Sequence, residues 1–115
     1  MFSQLKQAFT PSRDVTSALL DGYSPYLHSI RLDFPTNSIE FHLLDRIEQP
    51  SSIRVLRFDR LIDLQITSHE PNDTDPNFID SIIGVQRGAN EFHIHTDRFA
   101  ITFHCDSFHD HILSV

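Results

Sequence analysis

The chain has 115 residues, of which 39% are hydrophobic and 22% are charged. Such a chain is expected to form one domain, residues 1–115, that buries about two-thirds of its unfolded surface. Nine basic against sixteen acidic side chains give a net charge of −7, which repels phosphate and argues against nucleic acid as a partner. A basic protein is the better electrostatic match for this surface.

Two features bear on the compartment. No run approaches the roughly 20 apolar residues that cross a bilayer, and the N-terminal segment around Ser3, Gln4 and Lys6 lacks the apolar stretch of a signal peptide. The single cysteine, Cys105, excludes an internal disulfide and is typical of a reducing compartment. We therefore expect a cytoplasmic protein without a membrane partner.

The first twenty-odd residues are predicted to be helical, because apolar side chains recur there every three or four positions. These positions are Phe2, Leu5, Phe9, Val15, Ala18 and Leu19. Thr10 and Pro11 suit an N-cap and a first helical residue, and Gly22 supplies a stop signal.

From Leu27 onward the hydrophobic period changes to two, which is typical of β-strands. Alternating runs over 30–34 and 39–43, separated by the turn residues 35–38, predict a hairpin. A third strand follows from Ile53, and its apolar phase shifts at Leu56, as a β-bulge would cause.

The middle of the chain is less regular. Another strand is predicted over 61–66, and the polar residues 70–77 predict a loop. Residues 78–85 fit both a helix and a strand, and we favour a short helical turn at 77–80 and a strand over 82–87. The segment from Phe108 to Leu113 should close the chain as a strand or a short helix.

The clearest pattern is a hairpin from Glu91 to Cys105, in which two alternating runs meet at Asp97-Arg98. One of its faces is apolar and consists of Phe92, Ile94, Phe99, Ile101, Phe103 and Cys105. The opposite face carries His93, His95 and His104.

These three histidines suggest a metal site. Alternate residues of a strand lie about 6.5–7 Å apart, and a two-residue turn would place Glu91 directly opposite His104. Imidazole nitrogens are common zinc ligands. The alternative is a solvent-facing sheet surface, which is favoured because zinc sites usually show tighter, mixed cysteine and histidine spacing. No cofactor is therefore expected.

The sequence lacks the motifs of several enzyme classes. There is no Gly-x-Ser-x-Gly elbow, and three glycines are too few for a phosphate-binding loop or a dinucleotide fingerprint. His104 and Cys105 are neighbours on a strand and face opposite sides, so the histidine is poorly placed to activate the thiol. We expect a protein that is not an enzyme.

One helix and about seven short strands cannot form a parallel α/β sheet, which needs a crossover helix between successive strands. The predicted fold is therefore mainly β, of the α+β class. An N-terminal helix would pack on an antiparallel sheet of six to eight strands, bent into a sandwich or half-barrel.

Three short stretches are similar to segments of a known family. They are Asp21–His28, Leu56–Leu64, and the pair Glu91–Thr96 with Ile101–Asp106. They resemble the aromatic-Pro-aromatic-x-His entry, the central strand pair and the closing hairpin of small immunity proteins of bacterial polymorphic toxin systems, the Imm50 or YxiG-like group. Ser29 stands where that family usually has Asp.

The resemblance implies a non-enzymatic protein that binds and neutralises a cognate toxin, and it assigns no catalytic residues. The sequence thus favours a small acidic binding protein whose partner is a basic protein. The alternative is a metal-binding or metal-dependent protein that uses His93, His95 and His104. The partner-binding residues and the association of copies of the chain stay open.

Overall fold

The computed structural model describes residues 13–68 and 79–115. Within these segments the chain forms nine strands and one short helix. In chain order they are β1 (Arg13–Asp14), α1 (Thr16–Leu20), β2 (Leu27–Asp33), β3 (Ser38–Leu44), β4 (Ser52–Asp59), β5 (Ile62–Ser68), β6 (Ile82–Arg87), β7 (Glu91–Thr96), β8 (Phe99–His104) and β9 (Ser107–Ser114).

The strands are arranged in two antiparallel sheets. The five-stranded sheet has the order β1-β6-β7-β8-β5, and the four-stranded sheet has the order β2-β3-β4-β9. The mainly β, antiparallel prediction is confirmed, but two open sheets replace the single predicted sheet. The chain passes from one sheet to the other between β1 and β2, at Arg60-Leu61 and again at Cys105-Asp106. The left-handed backbone of Arg60 (φ 53°) supports the turn between β4 and β5.

Both sheets contribute to one hydrophobic core. The ring centroid of Phe58, in the four-stranded sheet, lies 5.0 Å from those of Phe92 and Phe103 in the five-stranded sheet and 5.3 Å from that of Phe108. Ring pairs at such distances each add about 0.5–1.5 kcal/mol beyond the burial of their area. The apolar face predicted for the hairpin β7–β8 is confirmed, because four of its six side chains are almost fully buried, Cys105 is buried and Phe99 packs at the edge of the core.

The N-terminal prediction is largely wrong where it can be compared. Arg13–Asp14 is a strand, α1 has only five residues, and it ends before Asp21, whose φ of 50° is left-handed. Asp14 accepts hydrogen bonds from the backbone N–H and the hydroxyl of Thr16, and the Thr16 hydroxyl in turn accepts the Val85 N–H. These bonds attach the start of α1 to β6.

The remaining positions of that prediction, from Phe2 to Pro11, lie outside the described residues, as do 69–78 with the predicted loop and the start of the predicted turn at 77–80. Ile79 and Asp80 belong to neither a helix nor a strand, and β6 confirms the strand over 82–87. In the two described segments no helix is long and apolar enough to cross a membrane.

The bulge predicted near Leu56 is wrong. The pairs of β4 with β3 and with β9 continue without a shift, so Val55 and Leu56 point to opposite faces. Both are buried, and β4 is an inner strand that lies between β3 and β9. The register shifts lie elsewhere, between Leu27 and Ser29, between Ile62 and Gln65, and between Ile82 and Gly84.

The hairpin predicted over 30–43 is confirmed as β2 and β3, with Ile30 opposite Phe41. Its turn contains Asn37, whose φ of 52° is left-handed. Leu32 is exposed, although it alternates with the apolar residues, because β2 is the last strand of its sheet. The C-terminal segment is a strand, β9, and not a helix.

Candidate functional site

The predicted histidine surface lies on the outer side of the five-stranded sheet. Glu91 is directly opposite His104, as the two-residue turn required. The Glu91 carboxylate lies between two imidazoles, with Oε1 2.6 Å from His93 Nε2 and Oε2 3.7 Å from His104 Nε2. We call Glu91, His93, His95 and His104 the histidine face. Its side chains are partly or fully exposed.

His95 is separated from that contact. Its strand neighbours are Gly84, which has no side chain, and Ala100, whose side chain is a methyl group, so the imidazole is open to solvent. Over residues 13–68 and 79–115, no group of three or more His, Cys, Asp or Glu side chains is arranged to hold a metal ion. The three histidines therefore share a face, as predicted, while metal binding by them stays a prediction.

A second polar cluster lies on the outer side of the four-stranded sheet, and the sequence did not reveal it. Glu40 Oε1 is 2.9 Å from His42 Nε2, and Glu40 Oε2 accepts a 3.0 Å hydrogen bond from Arg57 Nη1. Arg57 Nε donates to Asp59 Oδ1 at 2.7 Å, and Asp59 Oδ2 is 3.0 Å from His109 Nε2. We call these five side chains the ion-pair row.

The ion-pair row is electrostatically balanced around its centre. The hydrogen bond with His42 is the main reason that the pKa of Glu40 lies below its ordinary value, and Arg57 lowers it further. Asp59 and then Glu40 raise the pKa of Arg57. His42 is buried in this sheet and does not join the histidine face. Since each charge has a partner, the row suits a structural role.

The sequence contains a signal for the ion-pair row, but this signal can be interpreted only when the alignment of the strands is known. Residues 40 and 42, and residues 57 and 59, are polar alternate positions on strands whose other face is apolar. Nothing in a single sequence states that Glu40 lies opposite Arg57, or that Arg57 lies opposite His109. The register between distant strands is needed to bring the five side chains together.

One end of the two sheets combines exposed apolar and acidic residues. There the β2–β3 turn contacts the link between β4 and β5, because the Leu61 N–H donates to the Asn37 carbonyl and the Asn37 side chain donates to the Leu61 carbonyl. Phe34 in this turn is 83% exposed, and Ile62 just after the link is 61% exposed.

Three carboxylates lie at the same end. Asp33 ends β2, Asp63 lies in the shifted start of β5, and Asp106 lies in the link to β9. All three are exposed, and within the described part of the chain they make no hydrogen bond or ion pair. We call Asp33, Phe34, Ile62, Asp63 and Asp106 the acidic end. It presents exposed apolar side chains beside three carboxylates, which outnumber the one exposed guanidinium of the same link, that of Arg60.

A cleft of about 560 Å³ lies between β2 and the five-stranded sheet. Its walls are mainly apolar and include Ile30, Leu32 and Phe99, while Asp80 and Arg98 contribute polar groups. A volume of this size is within the range of sites that take small molecules. Asp80 is engaged within the protein, because it accepts hydrogen bonds from the Thr96 hydroxyl and the Asp97 N–H.

Cys105 is buried, as expected for a small core residue. Burial is the main cause that raises the pKa of its thiol above the ordinary value. A protonated, buried thiol is a poor nucleophile. Comparisons with protein-family models, curated proteins and solved structures found no match to this chain.

Proposed function

We propose that the protein is a small acidic binding protein that holds a basic protein partner through its acidic end. The observation that carries the proposal is the pairing of two exposed apolar side chains, Phe34 and Ile62, with carboxylates that have no partner in the described residues. A few side chains that become fully buried supply most of the binding energy of a protein interface. Charge around them selects the partner and accelerates its approach.

The charge distribution supports a basic partner. Of the basic side chains, Arg57 is held by Glu40 and Asp59, and Arg54 is held by Asp110. The Arg54–Asp110 pair is neutral and Arg57 with its two carboxylates sums to −1, so the remaining −6 of the net charge of −7 is carried by the rest of the chain. A partner with lysines or arginines around an apolar pocket would complement both properties of the acidic end.

A narrower form of the proposal names the partner as a toxin and the protein as its immunity protein, acting in the cytoplasm. The similarity of three segments to small immunity proteins supports it, as does the acidic surface. The open, two-sheet architecture, which we propose is a sandwich, gives a rigid support for a binding end. Neutralisation then needs only that the partner's active surface be covered.

Purification of the protein with its bound partner from the native host, at low and at high salt, is the first experiment. A specific basic protein that is retained at low salt and lost at high salt would support the proposal, because exposed charge pairs are screened by salt. No partner under any condition would contradict it. A toxin among the retained proteins would support the narrower form.

The binding surface is tested with a matched pair of variants. Ile62→Ala at the acidic end should weaken binding of that partner at least tenfold, whereas Ile83→Ala should leave the affinity unchanged. Ile83 is the right control, because it is 62% exposed against 61% for Ile62 and lies in β6 near the opposite end of the sheets. Equal effects of the two variants would place the interface elsewhere.

Metal analysis distinguishes the proposed binding protein from the alternative, a metal-binding protein. Protein purified without a histidine tag should contain no stoichiometric zinc, nickel or copper if it is a binding protein of this kind. Stoichiometric metal that is lost when His93, His95 and His104 are replaced together would favour the metal-binding protein instead.

A further inference from the structure

The outer edge of β9 is long, regular and exposed. β9 is the last strand of the four-stranded sheet, and all eight of its residues pair with β4 without a register shift. All eight are also exposed. The strand therefore presents a straight edge of backbone polar groups.

One hydrogen bond identifies the residues of β9 whose backbone groups point to the free edge. The Val115 N–H donates to the Ser51 carbonyl at 3.0 Å, so the backbone groups of Val115 point towards β4. In an antiparallel pair, alternate residues direct their N–H and C=O to opposite sides of the strand. The backbone groups of the alternate residues consequently point to the free edge, and these residues are Phe108, Asp110, Ile112 and Ser114.

The other described edges differ from β9. The edge strands β2 and β5 each contain a register shift, and β1 has only two residues. Bulges, short strands, lysines and prolines are the usual features that prevent edges from pairing with other chains. β9 has no bulge, lysine or proline, and its one carboxylate, Asp110, is held by Arg54 of the same chain.

We propose that two copies of the chain associate through antiparallel pairing of β9 with β9, which joins their four-stranded sheets into one sheet of twice the width. The twofold axis is perpendicular to the sheet and passes beside His111. A perpendicular axis keeps both copies the same way up, so core-side residues meet core-side residues. Such isologous twofold interfaces are the commonest in homo-oligomers.

The side chains that meet across the two β9 strands favour this register over its neighbours. With His111 on the axis, Phe108 lies opposite Ser114 of the second copy, and Asp110 lies opposite Ile112. All four residues that face the edge are then paired. An axis at Asp110 would place two carboxylates opposite each other, which is destabilising. An axis at Ile112 would leave Phe108 without a partner.

The same register covers the exposed apolar residues at the end of the strand. Ile112, which is 63% exposed, would pack across the interface, and Leu113 would lie opposite His109 of the second copy. A second copy fits this edge because this register pairs the free backbone groups of all four edge-facing residues and covers the exposed Ile112 and Leu113.

A proline variant tests the use of the edge. Ile112→Pro removes an N–H that the fold itself does not use, and its ring occupies the edge, so the chain should stay folded and become monomeric. Ile112→Ala keeps the N–H and should stay dimeric. Sedimentation equilibrium of the full chain should give twice the mass of 13.3 kDa for the parent protein and the single mass for Ile112→Pro.

Cysteine cross-linking tests the register independently. His111→Cys would place two thiols across a non-hydrogen-bonded pair, where Cα atoms are about 4.5 Å apart, and a disulfide between copies should form on oxidation. Leu113→Cys is the control, because the two copies of residue 113 would be several residues apart and should not cross-link.

Each outcome decides the proposal. A parent protein that is monomeric at every concentration would overturn it, as would a dimer that persists in a folded Ile112→Pro variant. If that variant does not fold, the cross-linking contrast decides: cross-linking of both cysteine variants, or of neither, would overturn the proposed pairing. A hetero-complex that requires β9 and excludes the dimer would assign the edge to another protein.

Discussion

Glu91 and His104 face each other across β7 and β8, and the Glu91 carboxylate also lies 2.6 Å from His93 Nε2. The histidine face is thus centred on an acidic side chain of the protein itself. Its four side chains are all partly or fully exposed, so water can replace each contact. Exposed ion pairs of this kind usually contribute about 0–1 kcal/mol each.

Replacement of the three histidines should therefore change stability little. We expect the triple variant His93→Gln, His95→Gln, His104→Gln to alter the free energy of unfolding by no more than about 0.5 kcal/mol per site, as is usual for surface substitutions. Urea denaturation with and without a chelator would measure it. A large loss that a chelator reproduces in the parent protein would show that a metal stabilises this face.

The opposite side of the same hairpin should respond very differently. Phe92, Ile101 and Phe103 are almost fully buried, so replacement of any one by Ala should reduce the free energy of unfolding by about 2–5 kcal/mol, because a cavity replaces each side chain. The same urea experiments measure this loss. The histidine variants are the control, because they change neighbouring positions of the same hairpin without creating a cavity in the core.

The hairpin could be predicted from the sequence because one of its faces is buried and the other is open, so the period of two is visible. β4 does not show this pattern, because Val55 and Leu56 are both buried, and the resulting loss of alternation mimics a bulge that the strand does not have. The ion-pair row was missed for a different reason. Its members come from three strands, and a single sequence does not specify how β3, β4 and β9 are aligned.

Stability should depend on Glu40 in the acid range. Because its pKa is lowered in the folded state, Glu40 contributes stability that is fully present above its ordinary value of 4.5 and is lost as the pH falls through the folded value. The free energy of unfolding of the parent protein should therefore decrease more steeply below pH 4.5 than that of Glu40→Gln.

The control for this measurement is Glu48→Gln, which changes an exposed carboxylate with no hydrogen-bond or ion-pair partner in the described residues. Its pH dependence should match that of the parent protein. Identical curves for Glu40→Gln and the parent would show that the contact with His42 does not stabilise the fold in solution.

Asn37 should be sensitive to both its backbone and its side chain. Its φ of 52° disfavours residues with a Cβ by about 1–2 kcal/mol, and its side chain donates a hydrogen bond to the Leu61 carbonyl, with a net value of about 0.5–1.5 kcal/mol. Asn37→Ala should lose both contributions, and Asn37→Gly mainly the second. Thermal or urea denaturation should rank the parent first, then Gly, then Ala. An Ala variant at least as stable as the Gly variant would contradict the claim that the left-handed backbone at residue 37 disfavours a Cβ.

The last prediction concerns the thiol of Cys105. The thiolate is the reactive form, and burial raises the pKa of this group above its ordinary value of 9.0, so the folded protein should hold a protonated, shielded thiol at neutral pH. Reaction with an aromatic disulfide reagent at pH 7 should be slow in the native protein and become fast in urea. The matched control combines Cys105→Ser with Ser68→Cys, which moves the thiol to an exposed strand position. Native protein that reacts as fast as this control would show that Cys105 is accessible and that the core around it opens readily.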